Sequence, residues 1–184
     1  MRFIETPLKQ AYTIEIDKKE DERGFFARIF CVNEYDAVGL DRNIVQSNIS
    51  WNPEKGTLRG LHYQLAPKAE TKIVRCTLGA LHDVILDIRP DSLTFGKWFA
   101  AELTAENHRM VLVPKGFAHG FLTLEANTEV CYFVTEFFAP EYERGIRYND
   151  PYFDIMWPFE PCVISPKDNS WMDFDFSYHL GINK

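Results

Sequence analysis

Residues 59 to 64, RGLHYQ, place an arginine, a histidine and a glutamine inside an otherwise apolar run. The histidine is His62, and Lys72 follows eight residues after the run ends. An unpaired polar group in an apolar interior costs about 1–3 kcal/mol on mutational scales. We therefore expect a strand with one face lining a solvated cavity, where an imidazole and an ammonium act on a substrate.

A second histidine, His119, occurs in PKGFAHGF, residues 114 to 121. The PxGxxH pattern of Pro114, Gly116 and His119 predicts a tight turn that delivers the histidine at the start of a strand. The pattern resembles the second motif of the cupin superfamily. Cupins are jelly rolls, and many of them hold a metal through three histidines and a glutamate.

The first cupin motif would need HxH where this chain has His62, Tyr63 and Gln64. Glu70 could supply a carboxylate, but an amide is a poor substitute for an imidazole ligand. The four cysteines are scattered without CxxC spacing, which argues against zinc. We therefore expect no metal and no other cofactor, and interpret the two histidines as a base and a hydrogen-bond donor.

Short strand-like runs surround these residues. The runs 11–16 and 25–30 flank a charged turn, and residues 32–40 are the best helix candidate, with Gly39 as its stop. Many further runs follow with turn signals between them, which is typical of a sandwich, jelly roll or barrel. These runs are 43–50, 57–64, 70–77, 80–89, 96–104, 108–114, 120–125 and 128–136. The proline-rich tail from residue 140 is predicted to wrap around the sheet, so that residues 1–184 form one all-β domain with a few short helices.

Several predicted strands carry charge on both faces. Lys72 and Arg75 lie in one strand, and Asp83, Asp87 and Arg89 lie in another. A closed barrel packed with side chains would not tolerate this pattern, whereas an open-mouthed barrel would, because alternate residues can point into a solvated pocket.

The composition limits the possible partners. The 184 residues are 46% hydrophobic and 26% charged, with a net charge of −7, which argues against nucleic acid. No run reaches the roughly 18 apolar residues of a membrane span, and the N-terminus has no signal-peptide block. Because the cysteines are most simply reduced thiols, we expect a cytoplasmic protein.

Longer segments resemble the dTDP-4-dehydrorhamnose 3,5-epimerase family, the metal-free cupins of deoxysugar biosynthesis. They cover nearly the whole chain in the order of the family. The matching segments are DERGFFARIF (21–30), QSNIS (46–50), LRGLHYQ (58–64), TKIVR (71–75), HDVILDIRPDSLTFGKW (82–98), PKGFAHGFLTLE (114–125), VCYFVTEFFAPEYERGIRYNDP (130–151) and SPKD (165–168).

The resemblance implies a cupin-type jelly-roll barrel, a homodimer and a nucleotide-linked 4-keto-6-deoxysugar substrate that is inverted at one or both carbons beside the ketone. It places His62 at the general base, Asp168 at the carboxylate partner of that base, Lys72 at the lysine that stabilises the enolate, and Tyr132 at the general acid. The positions that hold nucleotide, phosphate or sugar are Arg23, Arg28, Gln46, Asn48, Arg59, His119, Phe138, Glu143 and Lys167. Asp83 matches an acidic position behind the site.

General chemistry agrees with these roles. A proton beside a ketone is removable when preorganised donors or cations stabilise the charge that develops on the oxygen. Lys72 supplies a compact charge, and an imidazole with an ordinary pKa near 6.5 suits a base at neutral pH. A carboxylate on its other nitrogen would fix its tautomer, and a phenol such as Tyr132 can donate a proton to the opposite face of the sugar.

Two departures from the family bear on the substrate. Many dTDP-specific members have a glutamate where this chain has Arg28, beside the base of the nucleotide. Thymine therefore remains the expected base, with cytosine or another base left open. Phe137 and Phe138 replace a Tyr-Tyr pair, which removes a hydroxyl near the sugar and leaves open whether one or both carbons are inverted.

Other interpretations remain open. A ketoisomerase or single-carbon epimerase for a CDP-linked sugar could use the same pocket, a binding protein could keep the fold without the chemistry, and a metal-dependent oxygenase could use the histidines. Taken singly, Lys72 could be a solvated strand lysine and Tyr132 a core aromatic residue. Asp168 could cap a helix, and Arg23 and Arg59 could form structural salt bridges.

Overall fold

The computed structural model describes residues 1–40 and 43–181. These residues form fourteen β-strands, most of them short. The strands are β1 (Arg2–Glu5), β2 (Tyr12–Glu15), β3 (Lys19–Asp21), β4 (Gly24–Phe26), β5 (Gln46–Asn52), β6 (Thr57–Gln64), β7 (Lys72–Leu78), β8 (Ala80–Asp87), β9 (Trp98–Thr104), β10 (Met110–Val113), β11 (Phe117–Thr123), β12 (Thr128–Val134), β13 (Glu143–Gly145) and β14 (Val163–Ile164).

The helices are short and lie outside the sheets. They are α1 (Val32–Ala37), α2 (Pro166–Asn169) and α3 (Phe176–Leu180), with one 3₁₀ turn at Pro140–Tyr142. No helix in the described part of the chain is long and apolar enough to cross a membrane.

Two mainly antiparallel sheets face each other. One has the strand order β1-β2-β10-β7-β12-β5, and the other has the order β13-β6-β11-β8-β9, with β14 added parallel to β6. Strands that are distant in sequence are neighbours in both sheets, as in a jelly roll. The hairpin of β3 and β4 stands apart as a two-stranded unit.

Three apolar clusters explain why so many strands are apolar throughout. The cluster between the sheets contains Leu8, Ala11, Val74, Cys76, Leu81, Ile85, Leu103, Val111, Val113, Phe117, Phe121 and Val130. Tyr35 of α1 covers the outer face of the first sheet, and Ile146 and Phe153 of the tail cover the outer face of the second. Strand β10 is therefore buried on both faces, since Val111 points between the sheets and Met110 points towards α1.

The predicted jelly roll, the short helices and the wrapped tail agree with the structure. The helix ends near Gly39, which has a φ of +70°, and β11 begins just after Gly116, as the turn pattern predicted. The strand predicted over 25–30 is wrong beyond Phe26, and β3 lies inside the segment predicted as a charged turn. Strand β3 forms because the charged segment folds back on β4 in a tight hairpin, where the Asp21 carboxylate accepts a hydrogen bond from the Arg23 amide.

Candidate active site

A cavity of about 650 Å³ opens between the two sheets and is lined mainly by residues of β5, β6, β11, β12 and α2. A second cavity of about 350 Å³ adjoins it. Both are lined by His62, Lys72 and Tyr132, so the two cavities form one continuous site around these three side chains. Volumes of this size are typical of pockets that bind small molecules.

A bulge in β6 places two functional side chains on the same face. Across the ladder, His119 pairs with His62 and Phe121 pairs with Arg59, so one residue of β11 faces two residues of β6. With strict alternation, Arg59 and His62 would point to opposite faces of the sheet. Because β6 contains one extra residue between them, both side chains point into the cavity.

Gly60 makes this bulge possible. Its φ is +119°, and a Cβ atom there would lie 2.5 Å from Cα of Gly120 and 2.7 Å from the carbonyl oxygen of His119. Only glycine fits both the backbone conformation and the close approach of the two strands. The isolated glycine in an otherwise regular strand was a sequence signal for the bulge.

His62 is hydrogen-bonded to Asp168. The distance from Nε2 of His62 to Oδ1 of Asp168 is 2.6 Å, and the two side chains are 32% and 5% exposed. Because an ionised carboxylate only accepts hydrogen bonds, Nε2 of the histidine carries the proton. Nδ1 is the nitrogen that remains to accept a proton from a substrate.

Asp168 is held in place from two directions. It lies in α2, whose N-cap is Ser165, and its own amide donates to the Ser165 hydroxyl at 3.0 Å. The amide of Gly60 donates to Oδ2 of the carboxylate at 3.2 Å. Burial alone would raise the pKa of Asp168, but the hydrogen bond and charge of His62, with these amide and hydroxyl contacts, lower the pKa below its ordinary value. Asp168 is therefore a buried, ionised partner of the histidine, and the helix cap is Ser165.

Lys72 lies at the start of β7 and pairs with Glu70, with 3.1 Å between Nζ and Oε1. Tyr132 lines the same cavity from the neighbouring strand β12. Burial, and then the negative charge of Glu70, raise the pKa of the Tyr132 phenol, while the positive charge of Arg59 opposes that rise. The phenol is therefore protonated at neutral pH and able to donate.

His119 forms a second histidine–carboxylate pair. Its Nε2 atom lies 2.7 Å from Oδ1 of Asp83, which is 1% exposed and lies on the adjacent strand β8. The pair fixes the orientation of an imidazole that borders the larger cavity. Asp83 thus reaches the wall of the larger cavity only through His119.

The wall residues of the two cavities are held by their own hydrogen bonds. The guanidinium of Arg59 donates through Nε to Oδ1 of the buried Asn52 at 2.7 Å, and Lys167 pairs with Glu143 at 2.6 Å. Gln46 accepts a hydrogen bond from the amide of Phe138 at 3.2 Å. Asn48 lies on the same strand as Gln46 and lines the smaller cavity with Phe138 and Glu143.

Arg23 and Arg28 do not line the cavity of this chain. Arg23 is on the β3–β4 hairpin, where it pairs with Asp21, and Arg28 pairs with Glu34 of α1 at 3.1 Å. Both guanidinium groups are largely exposed, at 85% and 58%. Within one chain, the structure therefore separates these two predicted nucleotide ligands from the other site residues.

The histidine and aspartate side chains around the cavity are arranged in pairs, His62 with Asp168 and His119 with Asp83. Among residues 1–40 and 43–181, no group of three or more His, Cys, Asp or Glu side chains has the arrangement of a metal site. Gln64, which stands at the position of the second HxH histidine, accepts from the amide of Ala139 and donates to the carbonyls of Lys68 and Phe137. Its amide is thus used to hold the loop that follows β12.

Several cavity residues were missed from the sequence. Trp51 and Phe121 line the larger cavity, as does Ser165. The cap could have been found, because Ser165 and Asp168 have the S-x-x-D spacing of a helix start. No local pattern distinguishes Trp51 or Phe121 from core aromatic residues.

Comparisons with known proteins point to one family. A family model described as dTDP-4-dehydrorhamnose 3,5-epimerase matches residues 5–175. The dTDP-4-dehydrorhamnose 3,5-epimerase of Shigella flexneri is 42% identical over 182 residues, which cover 98% of this chain and 100% of that protein.

Two solved structures carry ligands that bear on the site. The dTDP-4-dehydrorhamnose 3,5-epimerase of Bacillus anthracis, with TDP and PPi bound, is 41% identical, with a TM-score of 0.90 over 94% of this chain and 99% of that one. The dTDP-6-deoxy-D-glucose-3,5-epimerase of Legionella pneumophila, in complex with dTDP-4-keto-L-rhamnose, is 41% identical, with a TM-score of 0.86 over 92% of this chain and 90% of that one.

Proposed function

The chain belongs to the dTDP-4-dehydrorhamnose 3,5-epimerase family, and on that premise we propose that it inverts both carbons beside the ketone of a dTDP-linked 4-keto-6-deoxyhexose. The observation that carries the proposal is the shared wall of the two cavities, where a carboxylate-bound imidazole, an ammonium and a phenol converge. These are the three groups that proton removal, enolate stabilisation and reprotonation require.

We assign proton removal to His62. Its Nε2–H group donates to Asp168, so Nδ1 is free to take the proton from the carbon beside the ketone. Asp168 stabilises the imidazolium that results, because the carboxylate stays ionised at neutral pH. No outside oxidant or cofactor is needed, since the ketone itself makes the neighbouring C–H bonds acidic.

We assign stabilisation of the enolate to Lys72. When the C–H bond breaks, its electron pair forms the enolate double bond and negative charge moves to the ketone oxygen. A preorganised cation that is largely shielded from water stabilises that charge strongly, and the Lys72 side chain is only 12% exposed. Tyr132 then donates its proton to the opposite face of the same carbon, which inverts the configuration.

We assign nucleotide binding to the larger cavity. Arg59 and Lys167 present positively charged groups there, the imidazole of His119 borders the cavity, and Trp51 and Phe121 offer aromatic surface to a base. Charge-assisted hydrogen bonds from arginine and lysine are the usual partners of a diphosphate. Gln46, Asn48, Phe138 and Glu143 line the smaller cavity and are assigned to the sugar.

We infer that the active form is a homodimer in which Arg23 and Arg28 serve the site of the second copy. Two exposed apolar surfaces support this. Phe26, on the β3–β4 hairpin, is 68% exposed, and Ile49, on the edge strand β5, is 69% exposed. Pairing an edge strand and covering its apolar residues is a common basis of association.

Mixing two inactive variants tests this arrangement. Arg23→Ala and His62→Ala subunits, co-refolded or exchanged, form mixed dimers with one intact site if Arg23 acts on the partner's cavity. Epimerase activity at low substrate concentration should then reappear in the mixture. No recovery in mixtures shown to contain mixed dimers would contradict the assignment.

A cytoplasmic location remains a prediction. Cys31, Cys76, Cys131 and Cys162 are all free thiols, which suits a reducing compartment.

Product analysis tests the proposed function. Purified protein is incubated with dTDP-4-keto-6-deoxyglucose, and the sugar is identified by nuclear magnetic resonance after chemical reduction of the ketone. We expect inversion at both carbons, giving the rhamnose configuration. Inversion at one carbon would mark a single-carbon epimerase, and an unchanged sugar would refute the proposal. A parallel series with CDP-, UDP- and GDP-linked sugars tests the base.

A further inference from the structure

Glu70 and Lys72 form an ion pair inside the cavity. The Nζ and Oε1 atoms are 3.1 Å apart, and both side chains are 12% exposed. The two residues are separated by one position on an extended segment, so their side chains project to the same side. Both line the smaller cavity together with His62 and Tyr132.

The backbone beneath this pair is fixed. The amide of Thr71 donates to the hydroxyl of Thr135 at 2.9 Å, and the amide of Thr135 donates to the carbonyl of Thr71 at 3.2 Å. Both threonines are buried. Glu70 therefore projects from a rigid point, and a rigid carboxylate can restrict a flexible lysine side chain, which otherwise has four rotatable bonds.

We propose that Glu70 is a positioning residue of the reaction, whose carboxylate aims the ammonium of Lys72 at the ketone oxygen and places a negative charge beside Tyr132. The proposal rests on the function proposed above. An ammonium has three N–H donors, so one can bind Glu70 while the others face the cavity. The reacting oxygen then meets a donor that needs no reorganisation during the reaction.

The negative charge also acts on the proton donor. Burial raises the pKa of Tyr132, the charge of Glu70 raises it further, and the charge of Arg59 lowers it. Besides Tyr132 itself, the ionisable groups that border the same cavities come from five elements and from the segment before β7. They are Arg59, His62 and Tyr63 of β6, Glu70 of that segment, Lys72 of β7, His119 of β11, Glu143 of β13, and Lys167 and Asp168 of α2. Removing the carboxylate of Glu70 leaves mainly cationic groups near the phenol, which favours its ionisation.

The first test compares Glu70→Gln with Glu70→Asp. Glu70→Gln keeps the shape but removes the charge. We expect its kcat to fall by about ten- to a hundredfold, as for a catalytic group displaced by a fraction of an ångström to one ångström, with little change in KM. The high-pH limb of its kcat profile should move to lower pH, because the Tyr132 phenol loses the neighbouring negative charge that raises its pKa. Glu70→Asp should keep that limb in place and recover part of the rate.

Glu15→Gln is the matched control. Glu15 of β2 pairs with Arg2 and Arg109 and lines no described cavity, so the pH profile of Glu15→Gln should equal that of the wild type. If Glu70→Gln and Glu70→Asp lower only the melting temperature and leave the pH profile unchanged, Glu70 is structural and the proposal is overturned.

A second measurement does not depend on turnover. The protein is labelled with isotope in its tyrosine rings, and the Tyr132 signal is assigned by its loss in Tyr132→Phe. In Glu70→Gln, this signal should titrate at lower pH than in the wild type. If the Tyr132 signal titrates at the same pH in both proteins, the proposal is overturned, whether or not the wild type is active. If the signal titrates at lower pH in Glu70→Gln but the wild type shows no epimerase activity, only the proposed function is refuted.

Discussion

Replacing Asp168 by asparagine changes one charge and almost no volume. In the wild type, Oδ2 accepts a hydrogen bond from the Gly60 amide, and Oδ1 accepts from Nε2 of His62. Asparagine has one carbonyl oxygen, and the Gly60 amide can only donate. The oxygen must therefore face Gly60, and the NH₂ group must face His62.

This orientation reverses the role of the imidazole. With an NH₂ donor opposite, Nε2 of His62 becomes an acceptor and the proton moves to Nδ1, the nitrogen that should take the substrate proton. The same replacement behind the catalytic histidine of serine proteases lowers kcat about ten-thousandfold through the wrong tautomer. We expect a loss of about a thousand- to ten-thousandfold here, which corresponds to about 4–5.5 kcal/mol of activation free energy.

The assay is the rate at which deuterium from the solvent enters the carbons beside the ketone. Thermal unfolding and dTDP affinity serve as controls, since Ser165 caps α2 through the backbone amide of residue 168 and that contact survives the replacement. A variant that is folded, binds dTDP and exchanges within about threefold of the wild type would refute the tautomer argument.

Three further predictions follow from the same contacts. Tyr132→Phe removes the proton donor, so inverted product should fall by about 100- to 10,000-fold while deuterium still enters unchanged substrate; equal loss of both would contradict this separation of roles. Because the folded pKa of Asp168 lies below its ordinary value of 3.8, its carboxylate stabilises the folded state above that value and loses this effect as the pH falls through the lowered pKa. The unfolding free energies of wild type and Asp168→Asn should therefore converge in acid, and a constant gap would count against the assignment. Gly60→Ala should cost several kcal/mol in denaturant unfolding, whereas Gly96→Ala, with a φ of +74° and nothing within 4 Å of the added Cβ, should cost about 1 kcal/mol; similar losses would show that the strand contact is unimportant.

The strands and the cavity could be predicted because their signals are local. Apolar runs separated by turn residues indicated the jelly roll, and polar residues within such a run indicated a solvated face. The turn before His119 could also be predicted, since Pro114 and Gly116 each restrict or permit specific backbone conformations. The roles of Lys72, Tyr132 and Asp168 depended on a resemblance to a family, because each of these residue types is common in ordinary positions.

What could not be predicted depends on long-range pairing. Alternation along β6 would put Arg59 and His62 on opposite faces. Gly60 signals a bulge, but its position and its effect on these two side chains follow only from the register against β11. The contact between Asp168 and His62 joins residues 106 positions apart, which no local pattern encodes. The pairing of Glu70 with Lys72 could have been suspected from their spacing, but its burial follows from the packing of β7 against β12.

The most direct test of the account is the deuterium content of each carbon beside the ketone after incubation of dTDP-4-keto-6-deoxyglucose in deuterated buffer with wild type and with His62→Ala. The account predicts deuterium at both carbons with the wild type, none with His62→Ala, and nearly equal dTDP affinity for the two proteins. Undiminished exchange by His62→Ala would show that another group removes the proton, and the proposed arrangement of base, ammonium and phenol would be wrong.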